Sequence, residues 1–309
     1  MTRSPRFSAR SWLMFALATV VLWGIWGAFS GISARHGFPD TLVYCVWALT
    51  MIVPAFVVLV QSRWRLDRSA GAIGYGLAVG FLGAGGQMVL FYALARGPAY
   101  LIFPIISLSP VVTIAMSFML MGERTGRIGA LGIALALLAL PTFDFAPGTG
   151  GVATGWLVPA MIVMLCWGMQ AYFMKAANQL MSAESIFVYM TVAGLALIPV
   201  AWRLTDFSAP INWGADGPWL AAVIQILNAI GALTLVFAFR YGKAIIVAPL
   251  ANAGAPLMTA ILSLIVLAVV PGPVRLVGIV LAIAASVLLA IEPDSENSGE
   301  AGLTHASNS

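Results

Sequence analysis

Residues 12–34 read WLMFALATVVLWGIWGAFSGISA, a run without one charged side chain. The hydrocarbon core of a bilayer is about 30 Å thick and takes about 20 apolar residues of helix to cross. This run is long enough. Arg3, Arg6 and Arg10 precede it. A basic-then-apolar start also opens a secretory signal, whose apolar core is roughly 7–15 residues. Here the run is longer and others like it follow, so it is read as a retained first membrane helix. Comparable runs fall at about 41–61, 70–95, 98–121, 127–143, 152–174, 185–202, 218–239, 244–269 and 274–291. Ten membrane helices are therefore expected in an all-α integral membrane protein.

Composition points the same way. Of 309 residues, 61% are hydrophobic and 8% charged, against about 25% charged in a soluble domain. So few charges cannot build a water-facing surface, and mean hydropathy is +0.99. The net charge of +4 does not indicate a nucleic-acid partner, because the basic residues are scattered between apolar runs and form no patch. Cys45 and Cys166 sit far apart inside apolar runs, a spacing that gives neither a disulfide framework nor a metal site.

Lys and Arg set the orientation. With the N-terminus in the cytoplasm, the inner segments hold Arg3, Arg6, Arg10, Arg63, Arg65, Arg68, Arg124, Arg127, Lys175, Arg240 and Lys243. The outer segments hold Arg35, Arg96, Arg203 and Arg275. Both termini are then cytoplasmic: a short segment 1–11, and a tail 292–309 that is acidic, rich in Ser, Asn and Gly, and expected to be disordered. The bacterial cytoplasmic (inner) membrane is the expected location.

The chain also repeats itself. Trp23-Gly24 matches Trp167-Gly168 at an offset of 144; Gly97 matches Gly242 and Pro104 matches Pro249 at 145; Thr113 matches Thr259 at 146. Gly132 and Ala136 match Gly278 and Ala282 at 146, and Phe91-Tyr92-Ala93-Leu94-Ala95-Arg96-Gly97 is similar to Phe237-Ala238-Phe239-Arg240-Tyr241-Gly242. Each unit, 12–143 and 152–291, holds five spans. An odd number inserts the second unit upside down, an arrangement that places a transporter's site near the midplane between its halves.

These residues carry a family resemblance. Trp23-Gly24, Tyr92-Ala93-Leu94, Pro104 ahead of Ser109-Pro110, Met121-Gly122-Glu123-Arg124 and the small-residue run from Gly129 to Leu140 resemble the EamA type of the drug/metabolite transporter superfamily. The resemblance covers about 12–291. It implies ten helices in two inverted repeats, a central cavity lined by helices 1–4 and 6–9, peripheral helices 5 and 10, and a lean toward export. In one place the chain departs from the pattern. Pro271-Gly272-Pro273 stands after helix 9 where Gly122-Glu123 closes helix 4, so the helix-end role of Glu123 has no second copy.

Candidate cavity residues come from three groups. Pro104 and Pro110 are expected to interrupt helix 4, and Pro249 and Pro256 helix 9, since proline removes a backbone hydrogen bond and kinks its helix. Such kinks either face a cavity or only shape packing; Pro54 and Pro199 are assigned to shaping. The intramembrane polar residues Gln87, Ser107, Gln225, Asn228 and Asn252 must turn inward to find partners. They either line the cavity or bond between helices. Among the aromatics, Trp23, Trp26, Tyr92 and Trp167 either wall the cavity or pack the core, with Trp23 and Trp167 expected to face each other. Trp12, Trp64, Trp202, Trp213 and Trp219 lie near span ends and are expected to be interfacial-belt or loop residues. Gly27 and Gly31, Gly76 and Gly80, and the stripe Gly278, Ala282, Ser286 permit close helix approach, within the monomer or in a homodimer.

No Asp, Glu, Lys, Arg or His lies near the middle of a span. Proton-coupled carriers usually keep an ionisable group there, and phosphorylated substrates need buried cations. The expectation is a secondary or facilitative transporter of small neutral or zwitterionic organic metabolites, working by alternating access with the lipid bilayer as its medium. No cofactor or metal is expected. A lipid or lipid-linked flippase is the alternative within transport, and a non-transport structural or assembly protein the alternative outside it. An enzyme is not expected: the two histidines, His36 and His305, lie outside the spans, and no nucleophile–base or metal-ligand cluster is legible.

Overall fold

Short polar residues and prolines set where the apolar runs begin and break. Ser69 and Ser182 cap the helices that follow them, accepting from the Ala72 and Ser185 N–H groups at 3.1 and 3.3 Å. Each satisfies one of the donors that a helix start leaves unpaired. A computed structural model of the chain describes residues 11–121, 126–144, 155–241, 244–268 and 270–291. The terminal segments, the disordered-tail expectation and the Gly122-Glu123-Arg124 helix end lie outside the described residues.

Among the described residues every regular element is helical. The first expected span holds α1 (Ser11–Phe29) and α2 (Ile32–Arg35), the second α3 (Asp40–Thr50) and α4 (Ile52–Gln61), and the third α5 (Ala70–Leu94). The fourth holds α6 (Ala99–Ile106) and α7 (Ser109–Met121), the fifth α8 (Arg127–Asp144), and the sixth α9 (Leu157–Asn178). The seventh holds α10 (Ala183–Ala196) and α11 (Ile198–Arg203). A wide turn at Ala215–Trp219 leads into α12 (Leu220–Tyr241) in the eighth. The ninth and tenth are α13 (Ala244–Leu267) and α14 (Pro273–Ile291). Among the described residues, seven stretches are long and apolar enough to cross a membrane: Trp12–Arg35, Asp40–Gln61, Ala70–Leu94, Ala99–Leu120, Leu157–Asn178, Ala183–Arg203 and Ala215–Ala238. Three more apolar helical stretches are shorter: Arg127–Ala139, Gly254–Leu267 and Pro273–Leu288.

Matching prolines act alike in one pair of spans and differently in another. Pro54 and Pro199 each sit in the first turn of the helix that follows a break, where a missing N–H costs little. In the fourth span α6 ends at Ile106, and Ser107 and Leu108 form a tight turn whose Leu108 N–H bonds Ile105 O at 3.1 Å. Pro110 then lies in the first turn of α7. The ninth span does not break: α13 is continuous from Ala244 to Leu267 through both Pro249 and Pro256. The expected interruption is therefore present in the first half and absent from the second. In α6 the Ser107 hydroxyl bonds the Pro104 carbonyl at 2.7 Å and closes the turn locally; the matching stretch of α13 has Asn252, Ala253 and Gly254.

Packing runs mainly between the halves. α1 lies on α12 and α13, α9 lies on α5 and on α6 and α7, α10 lies on α5, α12 lies on α3, and α8 lies on α14. Exchanging the first five spans with the last five turns this set of pairs into itself. Large apolar side chains such as Met14, Phe56, Phe118, Met119, Val223 and Ile265 stay exposed on the outer faces. Trp64, Trp202, Trp213 and Trp219, all near helix ends, are more than half exposed. The small-residue stripes pack within the chain: a Cβ on Gly27 would meet Thr259, on Gly76 Tyr189, on Gly80 Ala193, and on Gly278 Thr142. Ala282 and Ser286 are buried as well.

Two connections tie the halves at their ends. Asp67, between α4 and α5, accepts from Ser182 N and Oγ at 2.9 Å and from Ser185 Oγ at 3.0 Å, and its carbonyl accepts from Tyr189 at 2.7 Å. Asn212, at the matching position between α11 and α12, donates from its backbone N–H to Gly37 O at 3.0 Å and from Nδ2 to His36 O at 2.8 Å. Gly37 has φ +87°, a conformation open to glycine at little cost, and this turns its carbonyl toward Asn212. At the adjoining start of α3, Thr41 bonds Thr205 of the other half at 2.8 Å, and Asp40 pairs with Arg96 of its own half at 3.0 Å.

Candidate functional site

Gln225 and Asn228 are three residues apart on α12, so they share one face. α1 and α3 cover that face, and three tryptophans meet it. Trp26 Nε1–H donates to Gln225 Oε1 at 2.7 Å, and Trp47 Nε1–H donates to Asn228 Oδ1 at 2.9 Å. Trp23 Nε1–H donates to the Asn228 backbone carbonyl at 3.1 Å. Indole is a donor only, so each amide must turn its oxygen to the tryptophan and its NH2 away. Trp26 also meets Phe103 edge-on, with ring centroids 5.8 Å apart. Tyr44 leans on Trp47 at 5.3 Å and bonds Gly194 O at 2.9 Å. Aromatic side chains of three spans thus surround two primary amides. The helices that meet here carry no charged residue away from their ends.

A second tryptophan dock lies at the repeat-related place. Trp167 Nε1–H donates to Gly83 O at 3.3 Å, and its indole lies where a Cβ on Gly86 would sit. Likewise a Cβ on Gly231 would meet Trp23. Gly83 and Gly86 match Asn228 and Gly231 at an offset of 145. Thr113 Oγ1 donates to Gly168 O at 2.9 Å, and its counterpart Thr259 Oγ1 to Gly24 O at 3.2 Å. Absent side chains let helices approach, and each approach is closed by a cross-half hydrogen bond.

The other candidates scatter. Gln87 is 4% exposed on α5, and its Nε2 has no hydrogen-bond partner. Tyr92 is 44% exposed, and the Arg96 guanidinium covers its ring at 3.4 Å from the centroid. Pro104 is buried, and Pro110 half-buried. Ser107 faces α14: Ser286 Oγ lies 2.8 Å from both its carbonyl and its hydroxyl oxygen. This contact is the interhelical bond that stood beside cavity lining as the alternative for Ser107. Pro256 is half-buried in α13; the side chains of Pro249 and Asn252 lie outside the described residues. Trp23 and Trp167 each dock on a helix of the opposite half, α12 and α5, rather than on one another.

Three participants were missed in the sequence. Trp47 lies within the second run, about two turns from its start, and that placement was the available signal; Tyr44, three residues into the run, gave none. Gln170 is an intramembrane amide whose Nε2 lies where a Cβ on Gly83 would sit, and it matches Trp26 at an offset of 144. Among the described residues no three His, Cys, Asp or Glu side chains gather into a metal-holding group. Cys45 and Cys166 are free thiols.

Known proteins agree with this architecture. A solved crystal structure superposes with a TM-score of 0.62 at 18% identity, covering 91% of this chain and 96% of its own. The uncharacterized protein MJ1333.1 of Methanocaldococcus jannaschii is 21% identical over 128 residues, 41% of this chain and 92% of that protein. The pattern of the EamA-like transporter family matches twice, over residues 10–141 and 154–291. This chain belongs to the EamA-like transporter family, whose members are multi-pass membrane transporters of the drug/metabolite superfamily.

Proposed function

We propose that this transporter carries small neutral or zwitterionic organic metabolites out of the cell by alternating access, as a secondary or facilitative carrier of the bacterial cytoplasmic membrane. The observation that carries the reading is the uncharged cluster where Trp23, Trp26 and Trp47 meet Gln225 and Asn228 at the seam between the halves. A charged solute would need a counter-charge in such a place. The ten-span, inverted-repeat topology with both termini cytoplasmic belongs to the same proposal. It is supported by the two family matches, by a relative matched over nearly its whole length by under half of this chain, and by the exchange symmetry of the packing. The hydrogen bonds between connections add to this. Asp67 to Ser182, Asn212 to Gly37 and Asp40 to Arg96 all join connections an even number of spans apart, as alternating crossings require.

The test is a thermal-shift screen of purified protein against amino acids, nucleosides, sugars and aromatic cations, followed by flux of any hit in proteoliposomes. Specific binding raises the melting temperature by mass action. A hit that is transported, and that loses its shift in Asn228→Ala, supports the reading. Shifts produced by lipids alone would move it to a flippase. A saturable current driven by a pH gradient would defeat the uncoupled form.

A further inference from the structure

The amide of Gln225 is fully buried, and its two ends differ. Its oxygen is held by Trp26, while Nε2 has no hydrogen-bond partner. Leaving such a donor buried and unpaired is costly, and an apolar residue would avoid the cost. Asn228, one turn on, is oriented in the same way: Trp47 takes its oxygen, and its NH2 turns away from the indole. We infer that Gln225 and Asn228 are the polar recognition element of the transport site, and that the substrate they select carries a neutral carbonyl oxygen, as in a carboxamide, lactam or nucleobase, on a flat or apolar body. This rests on the transport reading above and narrows it.

The chemistry of the two amides selects the class. The unpaired end of Gln225 is a donor, because the donor-only indole of Trp26 holds the oxygen end. A substrate must therefore bring an acceptor. The absence of charge from the middle of the meeting helices disfavours a carboxylate or phosphate, which would be desolvated without a cation. It equally disfavours the ammonium of a zwitterion, so the narrowed class is the neutral one. The aromatic rings of Trp26, Phe103, Tyr44 and Trp47 offer stacking faces for the body of such a solute. Trp26 and Trp47 act as positioning residues: they hold the amides in one orientation. Gln225 is enclosed in this conformation, so binding belongs to a state opened from one face.

The experiment compares flux in proteoliposomes of neutral carbonyl solutes (nicotinamide, thymine, 2-pyrrolidone) with that of matched anions and zwitterions (nicotinate, orotate, proline). Wild type is set beside Gln225→Glu and beside the double variant Trp26→Phe/Gln225→Leu. The glutamate keeps an oxygen for Trp26 and loses the donor when ionised. Burial without a counter-charge holds this carboxyl protonated at neutral pH, where its O–H still donates, so flux of a carbonyl solute should persist there and fall about tenfold or more on alkalinisation, when ionisation removes the donor. The double variant removes both hydrogen-bond partners together and leaves no orphaned donor; the void left by the smaller ring should lower the melting point modestly, while carbonyl flux falls about tenfold or more at neutral pH. Carbonyl flux unchanged in a folded double variant would overturn the site and leave the transport reading standing. Flux confined to anions or zwitterions would overturn the substrate class. Absence of flux and of binding for every small solute would overturn the transport reading itself, and this inference with it.

Discussion

The two tryptophan docks are built on one plan and filled differently. In one, Trp23 of α1 lies on α12 beside Gly231 and bonds the Asn228 carbonyl; in the other, Trp167 of α9 lies on α5 beside Gly86 and bonds the Gly83 carbonyl. The backbone contacts repeat. The side chains around them do not. Where α12 carries Gln225 and Asn228, α5 carries Gly80 and Gly83; where α1 carries Trp26, α9 carries Gln170. The repeat supplies a scaffold that holds the halves together, and its divergence concentrates amides and tryptophans on one arm. The end connections follow the same rule. Asp67 and Asn212 occupy matching positions, but one is a carboxylate among hydroxyls and the other an amide on backbone carbonyls.

Filling the glycine sides of both docks should have the largest effect. Gly231→Val and Gly86→Val force Trp23 and Trp167 off their helices and should each cost about 1–3 kcal/mol, the range for overpacking. Thermal melts in detergent would read this as lower midpoints. In double-mutant cycles, Trp23→Ala should relieve Gly231→Val and leave Gly86→Val unrelieved, with the converse for Trp167→Ala. Relief of both by either tryptophan would mean that the arms do not act separately.

The next effect separates the two connections. Asp67→Ala removes the acceptor of three hydrogen bonds at the start of α10 and should cost about 1 kcal/mol, a helix-cap value. Asn212→Ala should cost less, because the backbone bond from Asn212 to Gly37 survives. Acid sharpens this contrast. The Ser182 backbone N–H, then the Ser182 and Ser185 hydroxyls, hold the Asp67 carboxyl below its usual range. A lowered carboxylate pKa stabilises the fold fully above the unfolded value, about 3.9, and that contribution is lost as pH falls through the lowered value. Midpoints should therefore fall in strong acid in wild type and fall less in Asp67→Asn. Equal slopes would remove the carboxylate from the account.

The smallest expected effect tests the threonine pair. Thr113→Val and Thr259→Val each remove one cross-half hydrogen bond, and interhelical bonds in membranes average about 0.6 kcal/mol. The two should be alike within error and additive. A much larger value for either would place an unrecognised strain at that crossing.

The sequence by itself determined the helical, membrane-embedded class, the approximate span positions, the repeat and the family, because each rests on long apolar runs or on spacing along the chain. It also located the amide pair, since an amide in an apolar run is conspicuous at any orientation. Only the tertiary structure decided which face of each helix meets another helix. Lipid and protein interior are both apolar, so the periodic contrast that marks the buried side of a soluble helix is nearly absent here. Trp47 went unremarked although it bonds Asn228, and the partner of Ser107, Ser286 on the tenth span, was not legible. Matching prolines suggested matching breaks, yet α13 runs unbroken. A proline removes one N–H wherever it stands, and the surrounding contacts decide whether the helix stops there or continues.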